Sequence, residues 1–155
     1  MNNLHNKNVV DVEISPLSGG ATEIFKTSVI TLHRRVVLCL ATSGARVDAD
    51  PITHIAFGNS GTYANGDPIM PNENQTDVTN RIAIYPVTSI TYPLDPGPRT
   101  TAQYMVVIPP MDLVSARINE AALIGISGNA HAVVTFYDKG KDPGVSMRFT
   151  FNDIF

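Results

Sequence analysis

The chain has 155 residues, a formal net charge of −3 and a single cysteine. This length suits one domain or two small ones, and no apolar run approaches the roughly 20 residues that a membrane-spanning helix needs. The pI near 5.7 and the scattered basic residues provide no electrostatic footprint for nucleic acid. Charged residues make up only 16% of the chain, well below the roughly 25% of ordinary soluble domains. This deficit suggests that another molecule covers much of the surface.

The N-terminal residues predict an arm and then strands. Residues 1–10 are rich in asparagine and lack the apolar core of a signal peptide, so we expect synthesis without secretion. An apolar segment at Val9–Ile14 ends at a break rich in glycine and serine. We therefore interpret residues 1–20 as an N-terminal arm or edge strand and residues 21–155 as a single β-rich domain. Glu23–Ile30 is the next predicted strand.

Thr31 begins the one predicted helix. The residues after it include apolar side chains at helical spacing, namely Leu32, Val36, Val37 and Leu40. Thr31 is a suitable N-cap, and Gly44 stands where a helix commonly ends. Cys39 lies inside the apolar run Val36–Ala41 and is expected to be a buried, unreactive thiol.

The rest of the chain predicts strands separated by turns. These strands share short apolar or alternating patterns and lie at Ile52–Phe57, Val78–Tyr92 with a break near Pro86, Ala102–Ile108, Ile118–Ile126, His131–Tyr137 and Val145–Phe151. A polar loop from Gly58 to Asp77 follows the first of them and is long enough to be functional. We expect an α+β, mainly β fold: an antiparallel, sandwich-like domain with one helix and this long glycine- and proline-containing loop.

Three charge-free stretches coincide with the predicted strands: Ile82–Leu94, Thr100–Met111 and Ala121–Tyr137. A sheet that exposes one face to water usually carries charges on that face. We therefore expect both faces of these strands to pack on the core, on another strand or on a partner.

No catalytic or metal-binding pattern emerges from the sequence. Asp48, Asp50 and His54 can be written as a small ligand cluster, but Asp50 precedes a proline and predicts a turn. The other histidines are dispersed and indicate no triad: His5, His33 and His131. No nucleophile can be matched with a base, so we expect a non-enzymatic protein with no cofactor and no metal.

Two polar residues stand beside an apolar stretch, Asn119 and Glu120, and Arg81 lies within an apolar strand. A buried carboxylate is costly unless it is paired or hydrogen-bonded. Two interpretations stay open. Either Glu120 points outward at a strand edge, or it is a buried lock that accepts hydrogen bonds from the backbone or from Arg81 and fixes the strand register.

Several motifs occur in a defined order from about Ile52 to the C-terminus. They are Ile52–Gly58, a glycine- and proline-containing loop, Gln75–Asn80, Ile118–Leu123, the turn Ser127–Asn129, Thr135–Lys141 and Met147–Asp153. Together they resemble the N-terminal domain of bacteriophage tail-collar fibre proteins. The motif or structural residues singled out in this way are Gly58, Gly61, Asn80, Arg81, Asn119 and Glu120.

The sequence departs from this family at two points. Arg81 stands where the family usually has glutamate, and Ile84 stands where it has arginine. A charge pair that the family makes on this strand is therefore not carried over. Family members typically continue into a collar, a shaft and a host-reading tip, whereas this chain ends at Phe155. The expectation is an attachment module alone.

The resemblance implies docking onto a phage-type tail. We expect a structural protein of the baseplate or tail tip, or an adaptor that anchors a tail fibre, made in the host cytoplasm and located in the virion tail. The expected partners are other tail, baseplate or fibre proteins and further copies of this chain, without nucleic-acid binding or membrane insertion.

The alternative is a receptor-binding β-domain that recognises a host-surface glycan or protein. Its interaction loop would contain Tyr63, which could stack on a sugar, together with Asn65 and Asp67. A hydrolase ranks third, because no nucleophile–base pair can be named.

Overall fold

The described part of the chain folds into two packed β-sheets and one helix. The computed structural model describes residues 9–16, 21–45, 50–93, 96–97 and 99–155. Their elements in chain order are β1 (Val9–Pro16), β2 (Glu23–Phe25), β3 (Thr27–Ile30), α1 (Leu32–Thr42), β4 (Ile52–Gly58), β5 (Arg81–Pro86), β6 (Ser89–Thr91), β7 (Thr101–Ile108), β8 (Arg117–Gly125), β9 (Ala130–Gly140) and β10 (Met147–Ile154). No helix within these ranges is long and apolar enough to cross a membrane.

The strands form two antiparallel sheets of five strands each. In the first sheet, which we call sheet A, the order is β2-β1-β10-β7-β6. In the second, sheet B, the order is β3-β9-β8-β4-β5. The prediction of a mainly β, antiparallel, sandwich-like domain with one helix is confirmed.

Aromatic side chains from both sheets meet in the core. The alternation of β10 places Met147, Phe149 and Phe151 on its buried face, as the sequence predicts. The ring centroid of Phe149 on sheet A lies 4.7 Å from that of Phe57 and 6.1 Å from that of Phe136, both on sheet B. These contacts join the two layers.

β8 is buried on both of its faces. Ala121 and Leu123 face the core between the sheets, whereas Ala122 and Ile124 belong to a second apolar cluster on the outer side of sheet B. That cluster also contains Val78, which comes from the segment between β4 and β5. We call this segment, residues 59–80, the covering loop. The covering loop packs on the outer face of β8 and shields its apolar side chains from water.

The other charge-free strands are only partly covered. Ile84 on β5, Ile90 on β6 and Tyr92 just after β6 are all exposed. For these side chains the described residues provide no cover on the second face, so packing on a partner, the third alternative, stays a prediction.

β1 is an interior strand of sheet A. It pairs with β10 on one side and with β2 on the other, so that Val12 lies opposite both Phe151 and Phe25. Val10, Val12 and Ile14 are buried in the core. The interpretation as an arm or edge strand is therefore wrong for β1, because its apolar alternation matches the core face of the sheet. Residues 1–8 and 17–20 lie outside the described residues.

α1 begins and ends close to the predicted positions. The Thr31 side chain accepts a hydrogen bond from the Arg34 backbone N–H, Ser43 is the C-cap, and Gly44 has a φ of +78°. This left-handed conformation is the one that glycine adopts readily after a helix.

Most of the apolar side chains at helical spacing lie on the outward side of α1. Four of its residues line a cavity that is open to the surface, namely Arg34, Val37, Leu38 and Ala41. The other three apolar side chains at helical spacing, Leu32, Val36 and Leu40, are exposed. Arg34 faces inward because the buried Asp153 carboxylate of β10 lies there and accepts a hydrogen bond from its Nη1 at 2.8 Å.

The prediction of a buried thiol is wrong. Cys39 is exposed, because it lies on the outward side of α1, between the positions of Val36 and Leu40.

Thr31 gives a direct test of how α1 is attached to sheet B. Its fully buried hydroxyl donates to the Ala130 carbonyl oxygen at 2.6 Å while capping the helix. Thr31→Val keeps the shape but removes both hydrogen bonds, so we expect it to lower the free energy of unfolding by about 1–3 kcal/mol. Thr31→Ser keeps the hydroxyl and should cost about 1 kcal/mol or less. Equal losses for the two variants in urea denaturation would contradict this role.

Candidate functional site

Glu120 lies at the junction between β8 and the covering loop. Its Oε1 accepts hydrogen bonds from the backbone N–H groups of Ser60 at 3.1 Å and Asn80 at 3.0 Å. Its Oε2 accepts one from the backbone N–H of Thr79 at 2.9 Å. The side chain is buried. Of the two interpretations of Glu120, the buried lock with backbone donors is the one that the structure shows.

Asn119 holds the first turn of the covering loop. Its Oδ1 accepts a hydrogen bond from the Gly61 N–H at 2.7 Å, and its Nδ2 donates to Asp138 Oδ1 at 2.7 Å and to Thr62 Oγ1 at 3.1 Å. The hydrogen bond from Asn119, followed by the smaller effect of Arg117, holds the pKa of Asp138 below its ordinary value although burial opposes this. The two neighbouring side chains of β8 thus attach the loop through backbone groups.

Two predicted motif glycines lie directly against this pair. A Cβ added to Gly58 would lie 2.4 Å from Glu120 Oε1, and one added to Gly61 would lie 2.4 Å from the Asn119 carbonyl oxygen. Both distances are too short for any larger residue. Glycine therefore allows the loop backbone to approach the carboxylate closely enough to donate to it.

Arg81 does not contribute to the lock. Its guanidinium pairs with Asp77 at 2.6 Å, near the surface. The proposed Arg81 donor is wrong because three backbone N–H groups already satisfy the Glu120 carboxylate. Asn80, by contrast, belongs to the lock, because its backbone N–H donates to the Glu120 carboxylate. Its side-chain Nδ2 also donates to Asn59 Oδ1 at 2.6 Å.

The predicted interaction residues lie on an exposed turn of the covering loop. The Tyr63 side chain is 58% exposed. Asn65 and Asp67 are also exposed but bind each other, because Asn65 Nδ2 donates to the Asp67 carboxylate and Asp67 N–H donates to Asn65 Oδ1. These are turn-forming hydrogen bonds. The receptor-binding alternative stays a prediction that rests on Tyr63 alone.

A second polar cluster surrounds Asp50, which lies two residues before the start of β4. Its Oδ2 lies 2.7 Å from His33 Nε2 on α1 and 2.8 Å from His131 Nε2 on β9. Ser127, in the turn between β8 and β9, donates its backbone N–H to Oδ1 and its hydroxyl to Oδ2, each at 2.8 Å. One carboxylate thus connects the helix, β9 and this turn.

Nothing in the sequence pattern pointed to this cluster. Its residues are at positions 33, 50 and 131, and only the packing of α1 against the end of sheet B brings them together. Of the ligands weighed from the sequence, Asp48 lies outside the described residues, and His54 is bonded instead to the neighbouring Thr53 hydroxyl. The weak signal available was Asp50 beside a proline, which predicts a turn rather than a ligand.

The protonation states of the cluster follow from its hydrogen bonds and its burial. Burial alone raises the pKa of Asp50, but the bonds from Ser127, His33 and His131 outweigh it and hold this pKa well below its ordinary value. Burial lowers the pKa of His131, and the Asp50 hydrogen bond offsets this only in part. At neutral pH the cluster therefore combines an ionised carboxylate with a neutral His131 imidazole.

A cavity of about 260 Å³ adjoins this cluster. Asp50 and His131 line it, together with the buried pair Arg34–Asp153 and Tyr104. One nitrogen of this arginine, Nη2, and one oxygen of Asp153, Oδ2, have no hydrogen-bond partner among the residues that the structure describes. Burial, followed by the charge of Asp153, raises the pKa of Tyr104 to about 12. The cavity is thus polar at one side and apolar along α1.

A larger groove of about 590 Å³ runs between the covering loop and sheet B. Its two carboxylates are already engaged, since Glu120 binds backbone N–H groups and Asp77 binds Arg81. Thr135, on its floor, donates to the Ile69 carbonyl oxygen at 2.6 Å. These three side chains thus hold the covering loop in place.

Comparison of the chain with protein-family models, with curated proteins and with solved structures gives no match. The resemblance to tail-collar fibre proteins therefore stays a prediction from the ordered motifs.

Replacing Glu120 tests the lock. Glu120→Gln removes one acceptor oxygen and places an NH₂ group against a backbone N–H, so we expect the free energy of unfolding to fall by about 1–3 kcal/mol. The matched control is Glu73→Gln, because Glu73 is exposed and pairs only with Arg35 at the surface. This control should change stability by less than about 1 kcal/mol. An unchanged unfolding midpoint for Glu120→Gln would rule out the lock.

Proposed function

We propose that this protein is a non-enzymatic structural component of a phage-type tail, which docks on a neighbouring tail or baseplate protein through α1. The observation that carries the proposal is the outward side of this helix. Leu32, Val36 and Leu40 are 47%, 47% and 37% exposed. We call these three side chains the outer stripe.

The outer stripe has the spacing of a docking helix. Its members are four residues apart, so they lie along one side of α1. A surface helix normally turns its apolar side to the core, whereas Arg34 is the only buried residue of α1. Apolar anchors at this spacing are how an amphipathic helix fits a groove in a partner.

The charge distribution supports the same surface. Neither α1 nor the residues that cap it contain an acidic residue, and Arg35 is held to one side by its ion pair with Glu73 of the covering loop. A partner could therefore cover the outer stripe without desolvating a carboxylate.

The assignment of the partner to a tail depends on the ordered motifs that run from Ile52 to the C-terminus. In the family that they resemble, this domain is the part that attaches to the tail. The 16% charged fraction supports the assignment, because a subunit built into an assembly needs less charge for solubility.

A charge placed on the outer stripe tests the proposal. We expect Val36→Glu to leave the unfolding midpoint within about 2 °C of the wild type, because the site is exposed. The same variant should lose most of its incorporation into assembled tails, measured by quantitative mass spectrometry of particles purified from the producing cells. The matched control is Ile126→Glu, since Ile126 is equally apolar and 70% exposed in the turn between β8 and β9.

A photo-crosslinking residue at position 36 identifies the partner in the same particles. The expected product joins this chain to a tail or baseplate protein, with none formed from position 126. Normal incorporation of Val36→Glu would show that α1 is not the docking surface. Complete absence of the wild-type chain from tails would refute the tail assignment itself.

A further inference from the structure

We propose that His33, Asp50 and His131 form a zinc-binding site. The ligand atoms are the two Nε2 atoms and Asp50 Oδ2, and all three lie within 4.8 Å of one another. Two imidazoles and one carboxylate are a donor set that suits Zn²⁺, which takes three protein ligands and one water in open tetrahedral sites.

The distances fit a site that is ready to accept an ion. Ligands about 2.0–2.2 Å from a tetrahedral zinc lie roughly 3.3–3.6 Å apart. The Nε2 atoms of His33 and His131 lie 2.7 and 2.8 Å from Asp50 Oδ2. Each of these two distances therefore needs to increase by less than about 1 Å to make room for the ion.

The number of hydrogen-bond donors around Asp50 Oδ2 also favours a bound cation there. Three donors converge on Oδ2 of Asp50: both imidazoles and the Ser127 hydroxyl. A carboxylate oxygen offers two lone pairs, so this oxygen has more donors than it has acceptor positions. Zinc would replace the two imidazole N–H donors with one positive charge, to which both Nε2 atoms and Oδ2 present lone pairs.

The surroundings hold the carboxylate in position. Ser127 N–H donates to Asp50 Oδ1, the oxygen that does not face the histidines. On the other side, a Cβ added to Gly125 would lie 2.3 Å from Asp50 Oδ2. Glycine at this position leaves the space that the carboxylate occupies. Such contacts orient a metal ligand and strengthen its binding.

Charge and access are compatible with the ion. The nearby positive charge of Arg34 is compensated by Asp153, to which it is hydrogen-bonded. The cavity that borders Asp50 and His131 provides space for the water ligand, and the His33 side chain is 26% exposed, which offers an entry path.

The ligands come from three separate elements of the fold. His33 lies on α1, Asp50 lies two residues before β4, and His131 lies on β9. Zinc would therefore fix the helix against the end of sheet B. This metal site does not depend on the proposed tail function, and it can be tested on the purified chain.

Calorimetric titration of the metal-free protein with Zn²⁺ is the test. We expect one ion per chain, and a rise in Tm of about 5 °C or more at a zinc concentration near 100 times Kd. His33→Gln and His131→Gln should each weaken binding at least about tenfold. The matched controls are the other two histidines of the chain, His54→Gln and His5→Gln, which should bind as the wild type does.

A Co²⁺ titration of the wild type provides a readout that does not depend on any variant folding. Visible absorption bands of a four-coordinate ion, abolished by an equivalent of zinc, are the expected result. No zinc binding with a Kd below about 0.1 mM would overturn the proposal. Equal loss of binding in the His54 or His5 variant would overturn the choice of ligands.

Discussion

The Glu120 carboxylate is the contact on which the rest of the structure depends. It accepts backbone N–H groups from Ser60 at one end of the covering loop and from Thr79 and Asn80 at the other. Burying a carboxylate is costly, and three charge-assisted hydrogen bonds offset this cost. The result is a closed loop lying against β8, which can then be apolar on both faces.

The closed loop in turn positions the helix. The Glu73 carbonyl oxygen of the loop accepts a hydrogen bond from the Leu32 N–H at 2.8 Å, in the first turn of α1. Thr31 fixes the same turn to β9. Because the start of α1 is held against sheet B, Arg34 can donate a hydrogen bond to Asp153 on β10 of sheet A. The same placement puts His33 within hydrogen-bond distance of Asp50. The outer stripe is what this arrangement leaves facing away from the protein.

The local features of this fold could be predicted from the sequence, and the long-range ones could not. The alternation in β10 and the cap at Thr31 are short-range signals, and both predict the observed elements. Helical spacing predicts that Leu32, Val36 and Leu40 lie on one side of α1. It does not predict that Arg34 is the residue that faces inward. That choice depends on Asp153, which lies far along the chain. The apolar surroundings of Glu120 allow both an outward and a buried position, and its three backbone donors lie too far along the chain to be predicted. The cluster around Asp50 has no sequence signal, because three elements must pack before its residues meet.

Hydrogen–deuterium exchange of the loop amides tests the central claim most directly. The account predicts that the N–H groups of Ser60, Thr79 and Asn80 are protected in the wild type to about the same degree as those of β8. In Glu120→Gln, under conditions where sheet A remains folded, these three amides should lose protection while those of β10 keep theirs. Free exchange of the three amides in the wild type, or unchanged protection in Glu120→Gln, would contradict the account.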